Sequence, residues 1–259
     1  MADCPAAALA AAASPRPPKI EVAFLELPAT TKKMSTATPV LISIEGNIGS
    51  GKSTLMRELR KRNPSWHFID EPVESWMGMR DDSGKSLLEL FYEDKQRWAY
   101  TFQNTALITR ILNAKAAIRD WEAAGRPGKP IFITERCIHT DANVFARMLR
   151  ADGDINNLEW TLYKKWFDGF ASQVPDPLGY IHVDTPVTVC SERINGRARE
   201  GEGGIPVKYL DELDSAHFSW LRRDGFDTPV MRVDNVTAAP TPVEEVERFV
   251  ERQWLGAVD

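Results

Sequence analysis

The eight residues from Gly46 to Ser53, GNIGSGKS, combine glycines, a lysine and a hydroxyl group at the spacing GxxxxGK[ST]. Glycines let the backbone curl so that several N–H groups point at one phosphate, and a following helix N-terminus adds positive potential. Lys52 would reach the β- and γ-phosphates, and the Ser53 hydroxyl would reach Mg²⁺. We therefore predict that the chain binds ATP or another nucleoside triphosphate together with Mg²⁺. The predicted phosphate-binding residues are Gly46, Asn47, Ile48, Gly49, Ser50, Gly51, Lys52, Ser53 and Thr54.

A carboxylate, Glu71, stands in the segment IDEPVESW, at the end of the second predicted strand. An alcohol that accepts a phosphoryl group must lose a proton, so a carboxylate beside the γ-phosphate could act as a general base. A phosphate acceptor would instead need arginines, and none flanks Glu71 closely in the sequence. Glu74 is a competing carboxylate, and a capping role for Glu71 in the next turn stays open. Trp76 offers a large apolar face that could wall a sugar or a base.

Further charged groups lie where phosphates are expected. The third predicted strand ends in ITERC, so Glu135 could hold Mg²⁺ and Arg136 could clamp the transferring oxygens. A structural ion pair is the alternative for these two residues. Three arginines, Arg193, Arg197 and Arg199, precede a glycine-rich turn. We therefore predict a lid over about residues 193–205 that would close on the polyphosphate. A solvated basic helix end is the alternative there.

Short apolar runs alternate with helical patterns after residue 39. The predicted strands are 40–45, 67–70, 131–135, 180–184 and 230–234. The predicted helices cover about 52–62, 86–92, 95–124, 140–151, 155–173, 186–198, 206–221 and 242–253. Strands separated by helices form parallel βαβ units, so we predict an α/β fold with a five-stranded parallel sheet and helices on both faces. A core-facing stripe is predicted on the longest helix at Trp98, Phe102, Thr105, Ile108, Leu112 and Ala116.

Composition excludes several classes of function. With 43% hydrophobic and 27% charged residues among 259, the chain is typical of a globular protein. No apolar run approaches the ~20 residues that span a bilayer, so no membrane association is expected. The net charge of −5 argues against a broad nucleic-acid surface, which leaves a small molecule as the expected partner. The absence of an NKxD motif argues against a GTPase.

Residues 1–39 differ in composition from the remainder. PAAALAAAASPRPP is of low complexity and PATTKKMSTATP is polar and turn-rich, so we predict a disordered tail followed by one domain over 40–259. The acidic residues in the tail argue against a mitochondrial presequence, which should be rich in arginine and poor in acids. We expect a cytoplasmic protein, and mitochondrial targeting stays open.

Several segments in the same order resemble the deoxyribonucleoside kinase family: GNIGSGKST, EPVESW, LLELFYEDKQRWAYTFQ, TER and RINGRAREGEGGIPVKYL. The resemblance runs from about Val40 to Leu221. It implies a P-loop kinase that phosphorylates the 5′-hydroxyl of deoxyribonucleosides in nucleotide salvage, with Mg²⁺, as a homodimer formed through long helices. It also implies that Glu71 is the general base, with Arg136 beside the hydroxyl and Lys52 on the phosphates. Ser53 and Glu135 would associate with Mg²⁺.

The resemblance also implies a nucleoside pocket. Its residues would be Glu71, Trp76, Leu88, Tyr92, Phe102, Gln103, Ala106, Arg110, Arg136, Asp141, Phe145 and Glu202. Within this set, Tyr92 and Glu202 would hold the sugar 3′-hydroxyl, and Gln103 would read the base edge. Phe102 and Phe145 would sandwich the ring.

Three positions, Ala106, Arg110 and Asp141, bear on the choice of base. By similarity to the deoxycytidine and deoxyguanosine kinases, Arg110 and Asp141 should pair at the back of the pocket. Asp141 can accept a hydrogen bond from an exocyclic amine, and Arg110 occupies the volume of a thymine methyl group. We therefore predict deoxycytidine and deoxypurines over thymidine. A thymidylate-kinase-like enzyme and a non-catalytic regulatory subunit are the alternatives.

Overall fold

The computed structural model describes residues 39–125, 131–197, 199, 204–235 and 243–255. The strands in this part of the chain are β1 Val40–Glu45, β2 His67–Ile69, β3 Ile131–Glu135, β4 Pro177–Asp184 and β5 Val230–Asp234. All of their pairings are parallel, in the order β2-β3-β1-β4-β5. The predicted five-stranded parallel sheet is confirmed. β4 begins three residues earlier than predicted, and β2 ends one residue earlier.

Helices connect and flank these strands. They are α1 Lys52–Arg62, α2 Val73–Gly78, α3 Leu87–Glu93, α4 Lys95–Ala123, α5 Ile138–Thr140, α6 Ala146–Ala151, α7 Asn157–Phe170, α8 Val187–Arg197, α9 Val207–Leu221 and α10 Val243–Leu255. The single helix predicted at 140–151 is divided, because a π-helical turn at Asp141–Phe145 separates α5 from α6. The short helix α2 falls in a segment predicted as a loop.

Side chains of β1 alternate between the two faces of the sheet. Ile42 and Ile44 pack on one face in the cluster that contains residues of α1 and α10. Leu41 packs on the other face in the cluster built by α3, α4 and α7. Both faces are therefore covered by helices, as predicted, and the polar residues Ser43 and Glu45 share the face of Leu41.

The core-facing stripe predicted on α4 is confirmed at Phe102 and wrong at Ile108 and Leu112, whereas Trp98, Thr105 and Ala116 are partly buried. Ile108 is 44% exposed and Leu112 is 57% exposed, whereas Phe102 is buried. The residues of α4 that are buried are Ala99, Phe102, Gln103, Ala106, Leu107, Arg110, Ile111, Ala114 and Trp121. The buried face includes two polar side chains, Gln103 and Arg110. A prediction that counts only apolar residues therefore places the buried face of α4 too far toward the solvent side.

The junction between α3 and α4 is defined by local capping. Ser86 and Glu89 form a capping box at the start of α3. Asp94 follows α3 directly, and its side chain accepts a hydrogen bond from the N–H of Arg97 in the first turn of α4 (3.1 Å). The angle between the two helices is thereby restrained, and residues from both reach one cavity.

Among the described residues, no helix is both long and apolar enough to cross a membrane. The tail predicted for residues 1–39 lies outside the described residues, apart from Pro39.

Candidate active site

The loop after β1 has the backbone of a phosphate-binding loop. Gly46 and Gly49 have φ angles of 137° and 77°. A Cβ atom at Gly46 would lie 2.5 Å from the Val183 carbonyl oxygen, and one at Gly49 would lie 2.6 Å from that of Cys190. Only glycine fits at either position. The loop leads directly into α1, so the free N–H groups of that helix face the loop and favour an anion.

Lys52, the first residue of α1, is buried beneath this loop. Its Nζ atom donates a hydrogen bond to the Asn47 carbonyl oxygen at 2.7 Å. It also lies 3.9 Å from Glu135 Oε1. Burial lowers the pKa of Lys52 to about 8, and the positive charge of Arg136 adds to this effect. Lys52 is therefore still mostly charged at neutral pH, but its ammonium group is less stable there than in water, so a bound anion would stabilise it.

Ser53 and Glu135 bring two oxygen ligands together. The Ser53 hydroxyl donates to Glu135 Oε2 at 2.8 Å. Hard oxygen ligands of this kind suit Mg²⁺, which is commonly held by one or two protein groups together with substrate phosphates. Among the described residues, no three His, Cys, Asp or Glu side chains converge on a metal position. The pair thus fits a metal ion that arrives with a polyphosphate.

Glu71, just after β2, is held by two arginines. Arg136 Nη1 donates to both carboxylate oxygens at 2.7 and 2.8 Å. Arg110 Nη2 donates to Oε1 at 2.6 Å. Burial raises the pKa of Glu71, but the charges of Arg136 and Arg110 outweigh burial and hold the pKa well below its usual value. Glu71 is an anion at neutral pH.

These contacts correct one part of the sequence argument. No arginine lies near Glu71 along the chain, yet Arg110 and Arg136 contact it in space. Arg110 comes from α4, and Arg136 follows β3. Tertiary packing brings together residues separated by 39 and 65 positions. The spacing of arginines along the chain therefore does not exclude a phosphate acceptor, whereas the ion pairs that Arg110 and Arg136 already form argue against one.

Arg136 has a strained backbone. Its φ of 60° makes it the one non-glycine residue with positive φ in the described ranges. The left-handed region costs a non-glycine residue about 1–3 kcal/mol, and such residues concentrate at functional sites. This conformation accompanies a fixed side chain, because Arg136 Nη2 donates to the Gly46 carbonyl oxygen at 3.0 Å.

Arg110 and Asp141 pair in the interior of the protein. Arg110 Nε donates to Asp141 Oδ2 at 2.9 Å, and Nη1 donates to the Glu135 carbonyl oxygen at 3.0 Å. Burial raises the pKa of Asp141 to about 6, while the positive charge of Arg110 opposes this rise. Arg110 thus bridges two carboxylates, Asp141 and Glu71.

One cavity of about 920 Å³ joins these groups. It is lined, among others, by Ile48, Gly49, Gly51, Lys52, Ser53, Thr54, Glu71, Trp76, Leu88, Tyr92, Phe102, Gln103, Ala106, Arg110, Glu135, Arg136, Asp141, Phe145, Arg193, Arg197 and Arg199. The structure therefore brings most of the predicted site residues together. Glu202 and part of the predicted lid lie outside the described residues.

The part of the cavity beside α4 is aromatic. Phe102 stacks on Phe91, with ring centroids 4.6 Å apart, and meets Trp76 edge-on at 5.2 Å. The Trp76 indole N–H donates to Thr109 Oγ1 at 3.0 Å, which fixes the plane of its ring. Gln103 is buried, and its Oε1 atom has no hydrogen-bond partner within the described part of the chain. This wall offers flat apolar surface with one available acceptor.

Sequence reasoning missed two residues of the site, Tyr209 and Asn235, and it did not predict the contact that Asn47 makes with α9. Tyr209 lines the cavity, and the Lys95 ammonium lies 3.5 Å from its ring centroid. Asn235 Nδ2 donates to the Ser50 carbonyl oxygen at 2.7 Å. Asn47 Nδ2 donates to the Leu210 carbonyl oxygen at 2.8 Å and ties the loop to α9. Asn235 could have been found, because it follows β5 at the edge where ligands bind.

The Ser50 carbonyl oxygen also joins the loop to α8. It accepts hydrogen bonds from the Thr185 hydroxyl at 2.9 Å and from Arg193 Nη1 at 3.3 Å. One of the predicted lid arginines is therefore in contact with the phosphate-binding loop.

Known proteins with similar sequences include nucleoside kinases. The family model described as "Deoxynucleoside kinase" matches residues 42–254. Deoxycytidine kinase 2 of Gallus gallus is 34% identical over 218 residues, which cover 78% of this chain and 79% of the relative. Deoxycytidine kinase of Homo sapiens is 35% identical over 201 residues, which cover 70% and 74%. The mitochondrial deoxyguanosine kinase of Xenopus laevis is 30% identical over 218 residues, which cover 79% and 81%. This chain is an enzyme that belongs to the deoxynucleoside kinase family.

Proposed function

We propose that this enzyme transfers the γ-phosphoryl group of MgATP, or of another nucleoside triphosphate with Mg²⁺, to the 5′-hydroxyl of a 2′-deoxyribonucleoside in nucleotide salvage. One observation carries the proposal. An ionised carboxylate, Glu71, contacts Arg136 and Arg110 in the same cavity that the phosphate-binding loop lines. An oriented carboxylate beside a phosphoryl group is what an alcohol acceptor requires.

Glu71 would accept the hydrogen bond of the 5′-hydroxyl and receive its proton. Its low pKa makes it a weak base. Phosphoryl transfer tolerates a weak base, because its transition state is loose and most catalysis comes from positioning and electrostatic stabilisation. The contacts with Arg136 restrict the carboxylate to one orientation, so its main contribution is to aim the hydroxyl oxygen at the phosphorus.

The donor phosphates would lie on the N–H groups of the loop and the first turn of α1. Lys52 would leave the Asn47 carbonyl oxygen to contact the β- and γ-phosphates. Ser53 and Glu135 would hold Mg²⁺, which when bound neutralises charge on the phosphate oxygens. The cavity also receives Arg193, Arg197 and Arg199, which would form part of the lid over the transferring group.

The base would lie between Phe102 and Phe145, with its edge toward Gln103. The amide of Gln103 and the carboxylate of Asp141 supply polar groups for a base that carries an exocyclic amine. Arg110 takes the volume that a thymine methyl group would need. Relatives named deoxycytidine kinase and deoxyguanosine kinase support the same preference for deoxycytidine and deoxypurines over thymidine.

A deoxyribose sugar is proposed for the acceptor. Tyr92 lines the cavity and would bond the 3′-hydroxyl. Its expected partner, Glu202, lies outside the described residues.

The alternative of a nucleoside monophosphate kinase has less support. Such an enzyme needs arginines that can meet the acceptor phosphate. The two arginines beside Glu71 are already neutralised, since Arg136 contacts Glu71 and Arg110 contacts both Glu71 and Asp141.

We also propose that the enzyme is a cytoplasmic homodimer whose kinase domain covers residues 40–259. Ile108 and Leu112 lie one helical turn apart on α4 and are exposed. The neighbouring helix α7 exposes Leu158 and Trp166. Exposed apolar groups on two adjacent helices are compatible with an association surface.

Replacing Glu71 with Gln should lower turnover about 10²–10⁴-fold, because the amide cannot accept the proton. ADP release would be measured with MgATP against deoxycytidine, deoxyadenosine, deoxyguanosine, thymidine, the ribonucleosides and dTMP. Glu74→Gln, which changes an exposed carboxylate three residues away, should retain turnover. Activity with dTMP alone would contradict an alcohol acceptor, and a fully active Glu71→Gln variant would contradict this base.

Affinity for a triphosphate should fall as the pH rises through about 8, where the free enzyme loses the Lys52 proton. Below that pH the ammonium group is present and binding should be constant; above it, affinity should fall by at most about tenfold per pH unit. Calorimetric titration with a non-hydrolysable MgATP analogue from pH 6.5 to 9.5 would test this. Lys52→Met should bind more weakly and without this pH dependence, and constant wild-type affinity would refute the expectation.

The double change Arg110→Met with Asp141→Ala should raise the thymidine kcat/KM relative to that of deoxycytidine. It removes both members of a buried ion pair, so no uncompensated charge is left behind, and it opens room for the thymine methyl group. Steady-state kinetics with both nucleosides would measure the ratio. The single variant Arg110→Met is the control, because it leaves Asp141 unpaired and should be less stable. An unchanged ratio in the double variant would disprove the pocket assignment.

Leu112→Asp should convert the dimer to a monomer, because it places a charge in an apolar interface. Sedimentation velocity would measure the mass. Leu255→Asp is a matched control, since Leu255 is 58% exposed and Leu112 is 57% exposed. The interface assignment fails if Leu112→Asp remains dimeric or if the wild-type protein is a monomer.

A further inference from the structure

Glu45, the last residue of β1, is a buried carboxyl group without a role in the mechanism above. Its side chain is fully buried. Oε1 accepts hydrogen bonds from the Ser43 hydroxyl at 2.5 Å and the Thr140 hydroxyl at 2.7 Å. The Cys137 thiol lies 3.8 Å from the same oxygen. Through these contacts with three side chains, Glu45 joins β1 to the segment that follows β3.

The segment fastened to Glu45 is the one that carries Arg136. The Cys137 N–H donates to Thr140 Oγ1 at 3.0 Å, so the hydroxyl that contacts Glu45 also holds the residue after Arg136. The Thr134 hydroxyl donates to the Arg136 carbonyl oxygen at 2.7 Å. The Arg136 N–H donates to the Ile44 carbonyl oxygen at 3.0 Å. The left-handed residue is therefore restrained on both sides by hydrogen bonds.

The carbonyl oxygen that accepts a hydrogen bond from the Arg136 guanidinium lies next to Glu45 in the chain. Nη2 contacts the carbonyl oxygen of Gly46, the residue that follows Glu45 in the chain. Movement of Glu45 would shift both the turn that bears Arg136 and the acceptor that orients its side chain. The other terminal nitrogen of the guanidinium group, Nη1, contacts Glu71.

We propose that Glu45 is a positioning residue for phosphoryl transfer. Through Thr140 and the Cys137 N–H it holds Arg136 in the left-handed conformation that directs its guanidinium to Glu71. The inference rests on the role proposed above for Arg136.

The role requires a hydrogen-bond acceptor at Oε1 rather than a negative charge. Burial raises the pKa of Glu45, although the hydrogen bonds from Ser43 and Thr140 and the charge of Arg136 act in the opposite direction. A glutamine side chain has the same shape and keeps a carbonyl oxygen at that position. A leucine side chain keeps the bulk and loses the acceptor. The pair Glu45→Gln and Glu45→Leu therefore separates the acceptor from the packing.

In Glu45→Leu, kcat per active site should fall about a hundredfold, as expected for misplacement of a catalytic group. Glu45→Gln should restore most of this loss in kcat. Thr140→Val cuts the same connection and should reproduce the defect if Glu45→Leu does not fold. Val246→Ala, in the core on the opposite face of the sheet, is the stability control: it should lower the Tm without lowering kcat per folded molecule.

Two measurements decide whether the effect passes through Arg136. In an Arg136→Lys background, Glu45→Leu should cause no further loss of kcat. A crystal structure of Glu45→Leu, or of Thr140→Val, should show Arg136 outside the left-handed region and separated from Glu71. The inference would be overturned if the losses of kcat from Glu45→Leu and Arg136→Lys were additive. It would also be overturned if Arg136 kept its left-handed conformation and its contact with Glu71 in the crystal structure of the variant. Wild-type turnover in Arg136→Lys would instead refute the proposed role of Arg136, while the crystal structure still decides whether Glu45 positions it.

Discussion

A line of four charged side chains, Asp141, Arg110, Glu71 and Arg136, crosses the cavity wall, and the rest of the site depends on it. Its two acids and two arginines balance in charge. Each side chain comes from a different element or junction: the π-helical turn, α4, the end of β2 and the end of β3. Removal of one member of such a buried pair typically costs about 3–5 kcal/mol, because the other charge is left without compensation. The geometry of the proposed catalytic groups therefore depends on the relative placement of four segments.

In the proposed mechanism, the same four side chains determine what kind of base Glu71 can be. Two arginines keep Glu71 ionised and immobile, at the expense of its strength as a base. So weak a base would be poorly suited to a reaction in which the proton must be removed completely before the new bond forms. Phosphoryl transfer, in which the bond to the leaving group is largely broken early, needs orientation more than basicity. Near the phosphates, Lys52 rests on the Asn47 carbonyl oxygen, an internal partner that a triphosphate can replace.

The parts of the site that the sequence predicted best are those with a local cause. The loop at Gly46–Ser53 is recognisable in the sequence because Gly46 and Gly49 each lie so close to a carbonyl oxygen that an added Cβ would come within about 2.6 Å of it. Predicting Glu71 and Glu135 required only the rule that ligands meet the C-terminal ends of parallel strands. The stripe predicted on α4 was wrong at Ile108 and Leu112 because Gln103 and Arg110 lie on the buried face of that helix, where a hydrophobic pattern cannot place polar residues.

By itself, the sequence determined the α/β sheet, the phosphate-binding loop, the carboxylates at the strand ends and, through resemblance, the family. Each of these follows from periodicity or from motifs within a few residues. Only the tertiary structure decided that Arg110 and Arg136 neutralise Glu71, that Arg136 adopts a left-handed backbone, and that Glu45 lies under the segment that carries it. The reason is physical: burial and the distances between charges depend on how segments far apart in the chain pack, and no local pattern encodes them.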